Sequence, residues 1–82
     1  MYIEIITPDK TIFDGEVKTI RIPGKKGSFQ VLSDHAPIVS TLDKGPIIVI
    51  GMDDSELIYE ADGGVVELRK NKIILLVERI IE

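Results

Sequence analysis

The first residues whose types could do chemistry are Lys25-Lys26-Gly27-Ser28, a short basic segment that contains a glycine. A phosphate-binding loop needs the longer pattern Gly-x-x-x-x-Gly-Lys-Ser/Thr and a following helix, so that backbone N–H groups and the helix dipole meet the phosphate. Neither that spacing nor a helical pattern is present. The segment therefore predicts a solvated turn, and we expect no nucleotide or other cofactor.

His35 is the only histidine and the one side chain suited to acid–base work near neutral pH. A catalytic triad would also need a positioned Ser or Cys and a carboxylate, and Asp34, its neighbour in an extended chain, points away from it. A metal site needs several ligands, which one His does not supply. On chemistry alone we interpret His35 as a loop residue that hydrogen-bonds backbone or a partner.

Three acidic residues, Asp53, Asp54 and Glu56, are the remaining candidates for chemistry, in this case calcium binding. A calcium loop of the EF-hand type needs alternating ligands, a central Gly and a closing Glu far downstream. The segment lacks this pattern and predicts a solvated hairpin turn. The sequence thus predicts no catalytic, cofactor or metal residue, and a protein that is not an enzyme by itself.

The composition narrows the class of partner. A length of 82 residues predicts one small domain. A net charge of −4 and an aromatic content of 5% argue against a nucleic-acid partner, which needs basic and stacking surfaces. The chain has no Cys, its first residues lack the basic and apolar regions of a signal peptide, and no apolar run approaches the ~20 residues of a membrane span. Any membrane association is therefore expected to go through a partner.

The elements that must position these residues are predicted to be strands. Ile and Val together number 22, against 6 Leu and 2 Ala. β-Branched side chains favour strands, whereas Ala and Leu favour helices. Turn residues recur between short apolar runs, which is typical of a sandwich or barrel. We predict one all-β domain over residues 1–82, a small β-sandwich of about ten short strands.

Several local expectations follow from the pattern. Residues 47–50 predict a strand buried on both faces, and Val17 predicts a bulge or a buried edge. Residues 43–45 predict a turn, and residues 62–64 predict a tight turn or a bulge. In the last strand, residues 73–77, we expect at least one of the two faces to lie in the core.

The order of the turns and loops resembles a known family. The stretch Gly27-Ser28-Phe29-Gln30-Val31-Leu32-Ser33-Asp34-His35-Ala36-Pro37 is similar to the segment that marks epsilon subunits of F-type ATP synthases, in which a Gly, an apolar pair and His-Ala-Pro recur at this spacing. Further similar features follow in family order: Phe13-Asp14-Gly15, Pro23-Gly24, Leu42 with Gly45, Tyr59 with Gly63-Gly64-Val65-Val66-Glu67, and Asn71-Lys72. The resemblance covers essentially the whole chain, and its specificity lies in the ordered combination.

The resemblance implies a mechanical role. In the family this N-terminal domain is a ten-stranded sandwich at the foot of the gamma subunit, touches the polar loops of the membrane c-ring and turns with both. It supports proton-driven ATP synthesis only through the complex, as a peripheral subunit at the cytoplasmic face of the bacterial inner membrane. Gly63 and Gly64 would permit a backbone shape or a close approach that a side chain would block.

Position matching to the family gives candidate partner residues. Thr7, His35 and Ser40 are expected on the gamma side, and Ser28 and Phe29 on the c-ring side. No catalytic, cofactor or metal residue is implied, and no small-molecule ligand is expected.

Two departures from the family pattern limit what is carried over. The usual subunit continues into a C-terminal helical hairpin that can inhibit ATP hydrolysis and in some members bind ATP, whereas this sequence stops at Glu82. We expect no such domain, whether the short end is natural or truncated, and carry over neither inhibition nor nucleotide binding. Ser28 stands where many relatives have an acidic residue, so a charge-based contact there is not carried over.

Two alternatives stay open on the residues alone. One is an unrelated small β-sandwich adaptor that binds another protein, which would explain the composition but leave the ordered motifs to chance. The other is an enzyme with His35 or a carboxylate at its centre, for which no substrate suggests itself.

Overall fold

The computed structural model describes residues 1–31 and 37–81. These residues form seven β-strands and contain no helix, which confirms the all-β prediction. No helix that could cross a membrane is therefore found in this part of the chain. The strands are β1 (Tyr2–Ile6), β2 (Thr11–Gly24), β3 (Gly27–Val31), β4 (Ile38–Gly51), β5 (Glu56–Arg69), β6 (Lys72–Val77) and β7 (Ile80–Ile81).

The strands form one continuous sheet that closes on itself. Their order is β1-β6-β5-β4-β2-β3, with β7 on β5, and an additional pairing of β1 with β2 closes the ring. Within the described residues the β1–β6 pairing is parallel and the other six are antiparallel. The closed sheet encloses one core, so the predicted sandwich is confirmed in a barrel-like form.

Three of the strands, β2, β4 and β5, are 14 residues long, which is why there are fewer strands than predicted. The turns expected at 43–45 and 62–64 lie inside β4 and β5, where Leu42 still pairs with Gly64 and Lys44 with Asp62. Gly63 has a φ of 87°, a left-handed conformation that a residue with a side chain rarely adopts. The predicted turns are therefore wrong, and so is the alternative bulge, because the β4–β5 register is the same on both sides of Gly63. The glycine bends the strand without ending it.

The core is built by the alternation of side chains along the strands. Ile3, Ile73 and Leu68 are register partners across β1, β6 and β5 and are all buried. Burial of each such side chain stabilises the fold by about 1.5–3 kcal/mol. The other buried apolar residues are Ile5, Val17, Ile20, Ile22, Val31, Leu42, Ile47, Val49, Ala61, Val66, Leu75 and Val77. The expectation that one face of residues 73–77 lies in the core is confirmed.

The bulge predicted at Val17 is confirmed and that for residues 47–50 is half right. The β2–β4 register shifts between Val17 and Thr19, so Val17 is buried on the same face as Ile20, although regular alternation would place the two side chains on opposite faces. Within β4, Ile47 and Val49 are buried but the alternate side chains are only partly covered. The prediction of burial on both faces is therefore wrong for the outward-facing side chains, Ile48 and Ile50, which no layer covers among the described residues.

Gly64 confirms the expected close approach. A Cβ added there would overlap the carbonyl oxygen of Leu76 on β6 and lie 3.0 Å from the Cα of Val77. The absence of a side chain therefore lets β5 and β6 keep their spacing at the bend.

The pairing of β2 with β4 ends where two prolines would face each other. Its last register pair is Arg21 with Ile48, so the same register would place Pro23 opposite Pro46, and neither residue has an N–H to donate. The two strands remain close, because a Cβ on Gly45 would lie 3.0 Å from Cβ of Pro23. Beyond this point β2 pairs with β3 alone and forms a hairpin, whose residues 24–30 we call the hairpin arm.

Candidate partner-binding surfaces

An exposed apolar row crosses the outer face of four strands. Ile6 of β1 pairs with Leu76 of β6, Leu76 pairs with Val65 of β5, and Val65 pairs with Thr41 of β4. Leu76 is 48% exposed and Val65 38%. We call Ile6, Val39, Val65, Ile74 and Leu76 the apolar strip. Its side chains alternate with those of the core, so they point away from it.

Charged pairs lie beside the apolar strip. The Lys72 ammonium is 3.0 Å from a carboxylate oxygen of Glu4, and the Arg69 guanidinium is 2.7 Å from Glu67. Lys72 also lies 5.7 Å from the centre of the Tyr2 ring. An apolar centre with a polar, charge-neutral rim is the usual anatomy of a protein–protein interface.

The charged rim changes the acidity of Tyr2. Partial removal from water, followed by the negative charges of Asp14 and Glu4, raises the pKa of the Tyr2 phenol above its ordinary 10.0. The ammonium of Lys72 acts in the opposite direction. At neutral pH Tyr2 is a neutral hydroxyl at the edge of this face, able both to donate and to accept a hydrogen bond.

Thr7, one of the three residues expected on the gamma side, is 8% exposed. Its hydroxyl donates to the carbonyl oxygen of Lys10 at 3.2 Å and accepts the Lys10 N–H at 3.3 Å. The Thr7 side chain therefore stabilises the turn after β1. Its hydroxyl is already used within the turn, so it can affect a partner mainly by fixing the position of that turn.

Ser40 is half-buried on the inward-facing side of β4, and its hydroxyl contacts the carbonyl oxygen of Thr41 at 3.4 Å. It pairs with Val66, which pairs with Leu75, which pairs with Ile5. Three strand spacings, about 14 Å, thus separate Ser40 from β1. His35, the third expected gamma-side residue, lies outside the described residues.

Ser28 and Phe29, expected on the c-ring side, are both on β3 and belong to the hairpin arm. Ser28 pairs with Pro23, and Phe29 pairs with Ile22. The Phe29 ring is 39% exposed and covers Gly24, where an added Cβ would lie 2.8 Å from the ring. The structure thus keeps these two residues together, on different strands from Thr7 and Ser40.

An open cavity of about 600 Å³ lies between the start of β2 and β7. Its lining includes Lys10, Glu60, Glu78 and Arg79 and so carries charges of both signs, and the Arg79 guanidinium lies 2.9 Å from the Asp62 carboxylate. In the described part of the chain, no three His, Cys, Asp or Glu side chains lie close enough to hold a metal ion. This mixture of charges does not select any one class of small molecule.

The apolar strip is the candidate binding surface that sequence reasoning missed. Around Val65 and along residues 73–77 both alternating faces are apolar, which signals burial on both sides. Among the described residues, one of those faces lines the core and the other is exposed or half-buried. The signal was present, but deciding which face remains open needs the register between strands.

The sequence matches the family model described as ATP synthase, Delta/Epsilon chain, beta-sandwich domain, over residues 1–82. An ATP synthase epsilon chain of Chlorobaculum tepidum is 40% identical over 78 residues, which cover 95% of this chain and 89% of that protein. An ATP synthase epsilon chain of Sulfurovum sp. is also 40% identical over 78 residues, which cover 61% of its length.

Solved structures with the same fold come from mitochondrial ATP synthases. A chain of the Euglena gracilis OSCP/F1/c-ring structure superimposes with a TM-score of 0.89 at 21% identity, covering 96% of this chain and 51% of that one. A chain of the Tetrahymena thermophila central stalk/c-ring structure gives a TM-score of 0.82 at 21% identity, covering all of this chain and 66% of that one. At this identity the likeness establishes the shared fold.

Proposed function

The chain belongs to the β-sandwich family of ATP synthase delta and epsilon chains, and we propose that it is a non-catalytic subunit of the rotor of that enzyme. In this role it joins the gamma subunit to the membrane c-ring and contributes to proton-driven ATP synthesis only within the complex. The observation that carries the proposal is the family match along the full 82 residues, together with 40% identity to a relative of which the chain covers 89%.

The geometry supports a coupling role because two separate surfaces stand on one rigid body. The apolar strip lies on the outer face of β1, β6, β5 and the first half of β4, whereas the hairpin arm belongs to β2 and β3. The closed hydrogen-bonded sheet links them, so a force applied at one surface reaches the other without a flexible hinge.

We place gamma on the apolar strip and on the residues at its two ends. The row begins at Ile6, next to Thr7 in the chain, and ends at Thr41, next to Ser40. Thr7 thus follows the strip at its β1 end. Ser40 lies between two outward positions of β4 with its own side chain on the opposite face, so we propose that its segment, rather than its hydroxyl, contributes to this side. His35 is the third proposed member of this side. An apolar contact of this kind suits a partner that stays bound.

We place the c-ring on the side of Ser28 and Phe29, at the hairpin arm. Loops and hairpins on a rigid sandwich are free to carry binding residues without changing the core. Attachment through these partners would place the protein peripherally at the cytoplasmic face of the bacterial inner membrane.

Co-purification with gamma tests the proposed function. The parent chain should form a stable complex with the gamma subunit encoded in the same genome, and Leu76→Asp should abolish it because a charge would be desolvated at the interface. The matched control is Ile58→Asp, which changes an outward residue of β5 that is 56% exposed but lies outside the strip. Both variants should melt like the parent.

Failure of the parent chain to bind gamma contradicts the proposed function. Retention of gamma by Leu76→Asp would leave the function intact and contradict the assignment of the strip.

A further inference from the structure

The cations of the chain are unevenly distributed. Residues 17–31 contain Lys18, Arg21, Lys25 and Lys26 and no carboxylate, a charge of +4. The net charge of the chain is −4, which leaves −8 on the other residues. One continuous segment of an acidic protein is thus strongly basic.

The hairpin arm, the later part of this basic segment, extends beyond the pairing of β2 with β4. Gly24 pairs with Gly27, so Lys25 and Lys26 form the two-residue turn of the β2–β3 hairpin. All residues of β3 before Val31 are exposed, unlike those of the longer strands, which bury every second side chain where they line the core. The hairpin arm therefore presents two lysines at its tip and solvent-exposed side chains on both faces.

Most of these cations lack an internal counterion. Lys18 pairs with Asp54 at 2.6 Å, but Arg21, Lys25 and Lys26 form no ion pair with any residue that the structure describes. Lys44 adds a further exposed cation nearby, since its neighbour Gly45 lies against Pro23 at the base of the arm. The positive field of the arm is therefore available to an external anion.

The arm also offers backbone and apolar contacts. In the described part of the chain β3 pairs with β2 alone, so its second edge presents N–H and C=O groups that an extended chain could pair with. Phe29 supplies an exposed ring, and a groove of about 330 Å³ beside the arm is lined by Arg21 and Gln30 over Ile48 and Ile50, with Thr19 and Glu56 completing it.

We propose that the hairpin arm is a docking surface for an extended polypeptide segment rich in carboxylates. The open edge of β3 and the groove beside it fit an extended polypeptide backbone, whose N–H and C=O groups can pair with the strand, whereas a nucleic acid has no such groups to pair. A lipid surface could meet the cations but offers no backbone groups that pair with an open strand edge. Only the identity of the partner rests on the proposed function, under which the segment belongs to the c-ring side.

The test uses an isotope-labelled chain and a synthetic peptide of alternating Glu and Val. Adding the peptide at low salt should shift the backbone resonances of Arg21, Lys25, Lys26 and Ser28, and added salt should reverse the shifts. Lys25→Glu/Lys26→Glu should weaken binding about tenfold or more because attraction becomes repulsion. Lys10→Glu/Lys70→Glu makes the same change in net charge at exposed lysines elsewhere and should bind like the parent.

Three outcomes overturn the proposal. These are no shift with the Glu–Val peptide, equal binding of a Lys–Val peptide, or shifts with phosphatidylglycerol vesicles but not with the peptide. A thermal melt of each variant confirms that it is folded. Because the readout needs neither gamma nor a c-ring, failure here is separate from failure of the gamma co-purification that tests the proposed function.

Discussion

At the scale of single residues, Gly64 carries a steric requirement that can be separated from backbone strain. Its φ is 154° and an added Cβ would overlap the Leu76 carbonyl oxygen. Gly64→Ala should therefore force β5 and β6 apart and lower the free energy of unfolding by about 1–3 kcal/mol beyond the strain of the unusual φ. A urea melt at neutral pH measures the difference.

Gly15 is the matched control for this substitution. Its φ of 155° is nearly the same, but a Cβ there would meet the ring of Phe13 at 3.7 Å, an ordinary van der Waals contact. Gly15→Ala should cost clearly less than Gly64→Ala. Equal destabilisation would mean that backbone strain, and not the approach of β6, explains the glycine at position 64.

Tyr2 gives a prediction about ionisation. Its pKa is raised first by partial removal from water and then by Asp14 and Glu4. In a Tyr59→Phe background, where Tyr2 is the single tyrosine, an absorbance titration should show a midpoint above 10.0, and Asp14→Asn should move it down. A midpoint that Asp14→Asn does not change would remove that carboxylate as a cause.

The raised pKa of Tyr2 also makes the stability of the fold depend on pH. The folded state holds the phenolic proton more tightly than the unfolded chain, so the contribution of Tyr2 is fully present below pH 10.0 and is lost as the pH rises through the folded-state pKa. Chemical melts across this alkaline range should show the parent losing stability more steeply than Tyr2→Phe. An equal slope for the two proteins is the contrary result.

At the scale of elements, β6 predicts opposite outcomes for two adjacent leucines. Leu75 is fully buried, whereas Leu76 is 48% exposed on the apolar strip. Leu75→Ala should cost about 2–5 kcal/mol, a large part of the stability of a domain this small. Leu76→Ala should leave the urea melt nearly unchanged and weaken gamma binding. Equal effects of both changes on the melt would contradict the strand orientation.

The sequence predicted this strand and its turns because their signals are local. Alternation marks the faces of β6, and the glycines flanking Lys25 and Lys26 mark a turn that the structure confirms. The glycines at 45, 63 and 64 gave the same local signal but lie inside β4 and β5. Whether a glycine ends a strand or only bends it depends on hydrogen bonds to neighbouring strands, which no local pattern encodes.

The candidate surfaces were predictable to different degrees for the same reason. Ser28 and Phe29 were expected together, and the hairpin keeps them together. Thr7 and Ser40 came from position matching, and only the register shows that the apolar strip runs between their neighbours. Leu76 could not be recognised as exposed from sequence, because an apolar residue on a two-sided apolar strand reads equally well as core.

At the scale of the whole molecule, charge and apolar surface are separated on one closed sheet. The hairpin arm is basic within an otherwise acidic chain, whereas the apolar strip has charges that pair with one another at its rim. Electrostatic attraction is long-ranged but screened by salt, and apolar burial is short-ranged and barely affected by it. Binding at the arm should therefore weaken with salt while binding at the strip persists.

The whole domain is expected neither to hydrolyse nor to bind ATP tightly. Tight phosphate binding needs backbone N–H groups that converge at the start of a helix, whereas Lys25-Lys26-Gly27-Ser28 forms a hairpin turn between two strands and the described residues contain no helix. The two lysines can attract a nucleotide only weakly and without base selectivity. Calorimetry with Mg-ATP at physiological salt should give no saturable heat at micromolar concentration, and Lys25→Glu/Lys26→Glu should look the same. Saturable micromolar binding by the parent chain, lost in that variant, would show instead that the arm is a nucleotide site.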